Sequence, residues 1–210
     1  MSGTHFSLFL LAALIIAAVP GPGIFYVAAR TLSGGRKAGM ASTFGAACGG
    51  LVHVTAGSLG VSAIILASAQ LFTAFKLVGA IYLVWLGIKT FRDAGREPAA
   101  SMEPAGAPRA FRDGIVVEAL NPKTAAFFLA FIPQFVDQTA GHPAIQFMAL
   151  GLISVSLNTL ADVIVVAMAA TARATLARKP HWVRRLRQGS GLFIAGLGIS
   201  LALTRRPVAS

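Results

Sequence analysis

The chain has 210 residues, 56% of them apolar and only 12% charged, with a mean hydropathy of +0.74. That is more apolar surface than a water-soluble core of this size needs, so a bilayer is the expected solvent, with room for about six spans of roughly 20 residues and no separate soluble domain. A net charge of +11 would point to nucleic acid in a soluble protein, but the Lys and Arg gather in or beside loops between apolar segments, so the charge reports topology and no nucleic-acid partner is expected.

The apolar stretches run over 6–29, 39–68, 71–91, 112–135, 143–172 and 189–204, each too long and too evenly apolar for a surface helix. The first is read as a retained span rather than a signal peptide, because residues 1–5 hold no Lys or Arg and the apolar pattern resumes after Pro22. Between the third and fourth, the stretch 93–109 carries Pro98, Pro104 and Pro108 and is expected to be a flexible cytoplasmic linker joining halves 1–92 and 110–210. Fifteen of the eighteen Lys and Arg fall in alternate connections, which places both termini outside; a re-entrant first segment is the alternative. The expected fold is an all-α polytopic membrane protein of six transmembrane helices. Three spans per half force the halves to insert in opposite senses, the geometry of an inverted repeat. The single Cys48 excludes an intrachain disulfide and a dithiol relay.

Two spans are interrupted. In the first, Pro20, Gly21, Pro22 and Gly23 remove backbone donors and loosen the helix. In the fourth, Asn121 can cap and Pro122 suits the start of a new turn, followed by Lys123. With inverted halves the breaks lie at like depth, and half-helix starts of this kind expose N–H groups to an anion such as a substrate carboxylate. The bland alternative is two proline kinks that only shape packing.

Asp162 lies within the fifth span, where a carboxylate is costly and normally serves ion or proton movement; pairing with Lys123 is the structural alternative. Glu118 flanks the second break with Lys123, both facing a cavity or both reaching for the cytoplasmic surface. Ala41, Gly45, Gly49, His53 and Gly57 recur every four residues, a small-sided packing stripe on which His53 is a candidate proton relay or a hydrogen-bonded structural residue.

The ordered set Pro20-Gly21-Pro22, Gly45 and Gly49 with His53, the run Tyr82 to Gly87, Asn121-Pro122-Lys123, Pro133-Gln134-Phe135 and Asp162 resembles the LysE/RhtB family of bacterial amino-acid exporters across the whole chain. The resemblance implies a six-helix inner-membrane exporter of amino acids or related metabolites, energised by the proton motive force. It marks the Pro-Gly-Pro, the Asn-Pro-Lys and Asp162 as characteristic positions. Two departures stand out: many members carry Asp where this chain has Gly23, and commonly Asn where it has Glu118.

The function expected is therefore secondary export of a small zwitterion, an amino acid first, with protons as coupling ion, lipid as surroundings, no cofactor, and a homo-oligomer left open. A metal-cation exporter is the second reading; it would need converging His, Cys or carboxylate ligands. An intramembrane enzyme lacks both the His-Glu-X-X-His and the Gly-X-Ser-X-Gly pattern, and there is no phosphate loop for ATP.

Overall fold

The computed structural model describes residues 3–67, 106–137 and 140–176, with scattered helical positions between 74 and 92 and between 185 and 203. Most of the third and sixth expected spans, the linker up to residue 105 and all of the Tyr82 to Gly87 run except positions 84 and 85 lie outside the described residues. Among the described residues the regular structure is entirely helical.

Helix α1 (Gly3–Ala18) stops before Pro20, and α2 (Pro22–Ala67) restarts at Pro22. Within α2 Gly35 takes φ 77° and ψ −177°, left-handed backbone that suits glycine, and the chain doubles back there. Two contacts show the reversal: Gly39 packs on Thr31, and Gly23 and Gly49, on either arm of α2, both adjoin Glu118. The arms 22–34 and 36–67 correspond to the end of the first expected span and to the second.

Helix α3 (Ala107–Ala119) starts earlier than the expected span, because Pro108 occupies its first turn, where a missing N–H costs nothing. The last three residues of the expected linker, 107–109, are thus helical. After the break, α4 (Pro122–Ala126) runs into a π turn (Phe127–Phe131) and a 3-10 turn (Ile132–Phe135), and the two pieces of this span bend by 40°. Helix α5 (Pro143–Leu176) contains a 29-residue segment, Pro143–Thr171, with mean hydropathy 2.0, long and apolar enough to cross a bilayer.

The Gly45 and Gly49 part of the small-residue stripe is where α2 meets α3, whereas Gly57 packs on Phe147 of α5. A methyl group at Gly45 would collide with the Phe111 carbonyl, and one at Gly49 with that of Ile115, while Gly114 answers from α3 against the Ser42 carbonyl. The first arm of α2 is tied to the same helix by polar groups: Arg30 Nη2 donates to Asp113 (2.7 Å), Arg30 Nε to Tyr26 Oη (2.9 Å), and Tyr26 in turn to the Ala110 carbonyl (3.3 Å). Phe9, Phe127, Phe128, Ile132 and Phe147 pack as an apolar core between α1, the π turn and α5. On α5 the polarity is inverted relative to a water-soluble helix, since Leu160, Ile164 and Met168 face outward while Ser154 and Asp162 are buried. That arrangement suits a hydrocarbon surround.

Candidate functional site

The two breaks meet. Because Pro20 lacks an N–H, the Ile16 carbonyl loses the donor it would receive four residues on, and the Val19 carbonyl lies at the gap itself. Lys123 supplies both: its Nζ donates to Ile16 O (3.1 Å) and Val19 O (3.0 Å). Lys123 is only 5% exposed, so it does not reach for a surface. Gly21 lies against the Lys123 stem, and a Cβ there would stand 3.0 Å from Lys123 Cδ.

At the second break Asn121 caps α4: its Oδ1 accepts from the Lys123 backbone N (3.1 Å), with Pro122 at the first helical position. The other end of the Asn121 amide donates to Glu118 Oε2 (2.8 Å), and Thr124 Oγ1 donates to Glu118 Oε1 (2.6 Å). The buried Glu118 carboxyl is therefore held by the start of α4. It also lies over Gly23, where a Cβ would come within 2.6 Å of Oε2. The two positions read from sequence as departures from the pattern the chain resembles are thus in contact, the carboxyl of residue 118 using the space that a side chain at 23 would fill. His53 Nε2 lies 2.9 Å from the Glu118 carbonyl, and its ring packs on Phe128. His53 braces the end of α3 and does not line the cavity.

Between the breaks and α5 lies a cavity of about 420 Å³, open mouth included, whose walls are close enough to leave room for about one water. Gly23, Glu118, Asn121 and Lys123 line it, whereas Pro20, Gly21, Pro22 and Pro122 shape the backbone around it without lining it. Helix α5 contributes Asn158, Thr159 and Asp162. Asp162 is 6% exposed and makes no hydrogen bond or ion pair among the described residues; Lys123, committed to the carbonyls of the first break, forms no ion pair with it. Asn158, Thr159 and Thr124 complete the site beyond the residues singled out from sequence. Their signal is the recurrence of polar side chains at 158, 159 and 162, which share one helical face of an apolar span.

For a metal the donors are poor. Cys48 is exposed, and among the described residues no group of three or more His, Cys, Asp or Glu converges. The metal-export reading gains no support from this arrangement.

Comparison with known proteins identifies the family. An uncharacterized membrane protein of Vibrio cholerae is 30% identical over 198 residues, covering 94% of this chain and 96% of its own length. The leucine efflux protein of Klebsiella pneumoniae is 34% identical over 150 residues, 69% of each chain, and that of Salmonella typhimurium 31% identical over 146 residues, 68% of each. No solved structure matches. The profile described as LysE type translocator matches residues 14–205, and the chain therefore belongs to that family of multi-pass inner-membrane proteins.

Proposed function

We propose that this translocator exports a small amino acid, or a closely related zwitterionic metabolite, in exchange for protons entering the cell. The observation that carries the reading is Asp162: a buried carboxyl with no bonded partner among the described residues, facing a cavity where two interrupted spans meet. A carboxyl within a span is expensive to keep, and an unpartnered one is best explained by a ligand or proton that it takes up during the cycle. The substrate carboxylate is assigned to the start of α2, where Gly23 and Ile24 line the cavity and first-turn N–H groups have no intrahelical acceptor. The start of α4 is already taken by Asn121 and Glu118. Because the cavity holds little more than a water as it stands, export requires the halves 1–92 and 110–210 to move apart on one side and then the other, as inverted repeats do. The similarity to leucine efflux proteins makes leucine the first substrate to test.

In everted membrane vesicles, where an exporter works inward, the wild type should accumulate labelled leucine when a pH gradient is imposed. Asp162→Asn should insert normally yet build no gradient. Full accumulation by Asp162→Asn would end the role of this carboxyl in coupling.

A further inference from the structure

We infer that Asn158, Thr159 and Asp162 form an ammonium-recognising wall, so that the site selects ligands carrying a protonated primary amine. The inference rests on the exporter reading above for its cargo but on hydrogen-bond geometry for its chemistry. Asn158 donates through Nδ2 to the Ser154 carbonyl (3.1 Å), a contact that requires the amide nitrogen there and leaves Oδ1 as the end not held by the helix. The single donor of Thr159 is spent on the Val155 carbonyl (2.8 Å), which leaves its oxygen with acceptor capacity only. Asp162, when ionised, adds two further acceptor oxygens and is more than nine-tenths buried. All three residues line the cavity, within about one turn of one helix.

A wall of this kind rejects a carboxylate and matches a group that has donors and no acceptor. A primary ammonium has three N–H donors and no acceptor; the three side chains offer one oxygen set for each. The protein's own nearby ammonium, that of Lys123, does not occupy it: two of its three N–H donors go to the Ile16 and Val19 carbonyls, and it makes no ion pair with Asp162 among the described residues. The apolar remainder of the ligand then lies toward Val155 and Phe128, which also line the cavity. Asn158 and Thr159 are on this account residues that set specificity, with Asp162 supplying the charge.

The test uses purified full-length protein in detergent and leucine split into its two polar ends. The probes are 3-methylbutylammonium, which keeps the amine, 4-methylpentanoate, which keeps the carboxylate, and sodium ion alone against a choline background, each followed by thermal unfolding. The amine should raise the unfolding temperature, and the carboxylate and sodium should not. Asn158→Leu and Thr159→Val should each weaken amine binding by about tenfold, the size expected for one hydrogen bond to a charged group, while Thr159→Ser should restore it. Equal stabilisation by 4-methylpentanoate or by sodium would overturn the inference, as would unchanged amine affinity in both apolar variants. Should those variants fail to fold, the three probes on the wild type decide alone. Amine binding without leucine transport in vesicles would remove the leucine-export reading and leave the ammonium wall standing; leucine transport without amine binding would do the reverse.

Discussion

At Pro20 the stranded carbonyls of α1 receive their donors from another span, through a side chain more than 100 residues away in sequence, whereas at Pro122 the stranded Glu118 carbonyl has a local donor in Asn121 N (3.0 Å), to which His53 of α2 adds a second contact, and the remaining donors come from within six residues. The second break is capped by Asn121 and filled by Glu118, and could form as a local unit. The first cannot satisfy itself. Ile16 and Val19 are buried, so their carbonyls are satisfied only when the second break is docked on the first. Proline-interrupted spans that look alike in sequence therefore differ in kind: one is a fixture, and the other depends on a distant contact with the second break, the contact that the proposed alternating access would have to remake.

The largest effect should come from removing that contact. Lys123→Met keeps the length and apolar stem of the side chain but leaves two carbonyls without donors, at a cost of about 2–5 kcal/mol for two unsatisfied groups. Thermal unfolding in detergent should show this loss, together with protease sensitivity around residues 19–21. A variant as stable as wild type would mean the first break satisfies itself after all.

Next in size is the Gly23 and Glu118 contact. Gly23→Asp alone forces a second carboxyl against the first, with a Cβ within 2.6 Å of Glu118 Oε2, and should cost about 2 kcal/mol, within the range for overpacking and like-charge burial. Adding Glu118→Asn should recover most of it, because the acid has then moved across the contact and the amide can still bond Thr124. Additive losses in the double variant would show that the two positions are independent.

Asn121→Ala should cost less, about 1 kcal/mol for a lost helix cap, with the Glu118 carboxyl also losing one donor. Its effect should be confined to the second break, and unfolding should remain a single transition.

These differences mark what sequence can and cannot carry. Pro20, Pro22 and Pro122 announce both breaks because proline acts on the backbone wherever it stands, and Asn121 announces its cap because the cap is local. The every-fourth-residue glycines announce a close helix contact, seen in the fold between α2 and α3. What cannot be read is which groups complete one another across the fold. By sequence Lys123 is a partner for Asp162, a cavity-facing residue or a surface-seeking cation; it lines the cavity, but its bonds go to carbonyls, which leave no trace in a sequence. Glu118 and Gly23 stand as separate departures from the family pattern, and only folding shows that they touch. Arg30 reads as a loop charge, and nothing local ties it to Asp113, 83 residues away. Asn158 and Thr159 are marked in sequence only by sharing a face with Asp162, a weak signal because hydroxyl and amide side chains often bond back onto their own helix, as both do here; the cavity is what assigns them to the site.

The smallest effect on stability, and the sharpest test of the contrast, belongs to Pro20→Ala. Alanine restores an N–H that can reach the Ile16 carbonyl, so α1 can extend by part of a turn while Pro22 still opens α2. The gain of that bond is offset by the greater freedom of the unfolded chain without proline, so stability should stay within about 1 kcal/mol of wild type. Export should nevertheless fall severalfold in the vesicle assay, since a first break that satisfies itself no longer needs Lys123 and loses its coupling to the second half. Combining Pro20→Ala with Lys123→Met makes the reasoning quantitative: the restored N–H can replace the donor at Ile16 but not at Val19. The pair should therefore regain about half of the stability that Lys123→Met loses. Regaining none of it would mean that Ile16 never lacked a donor, and the dependence of the first break on the second would fall with it.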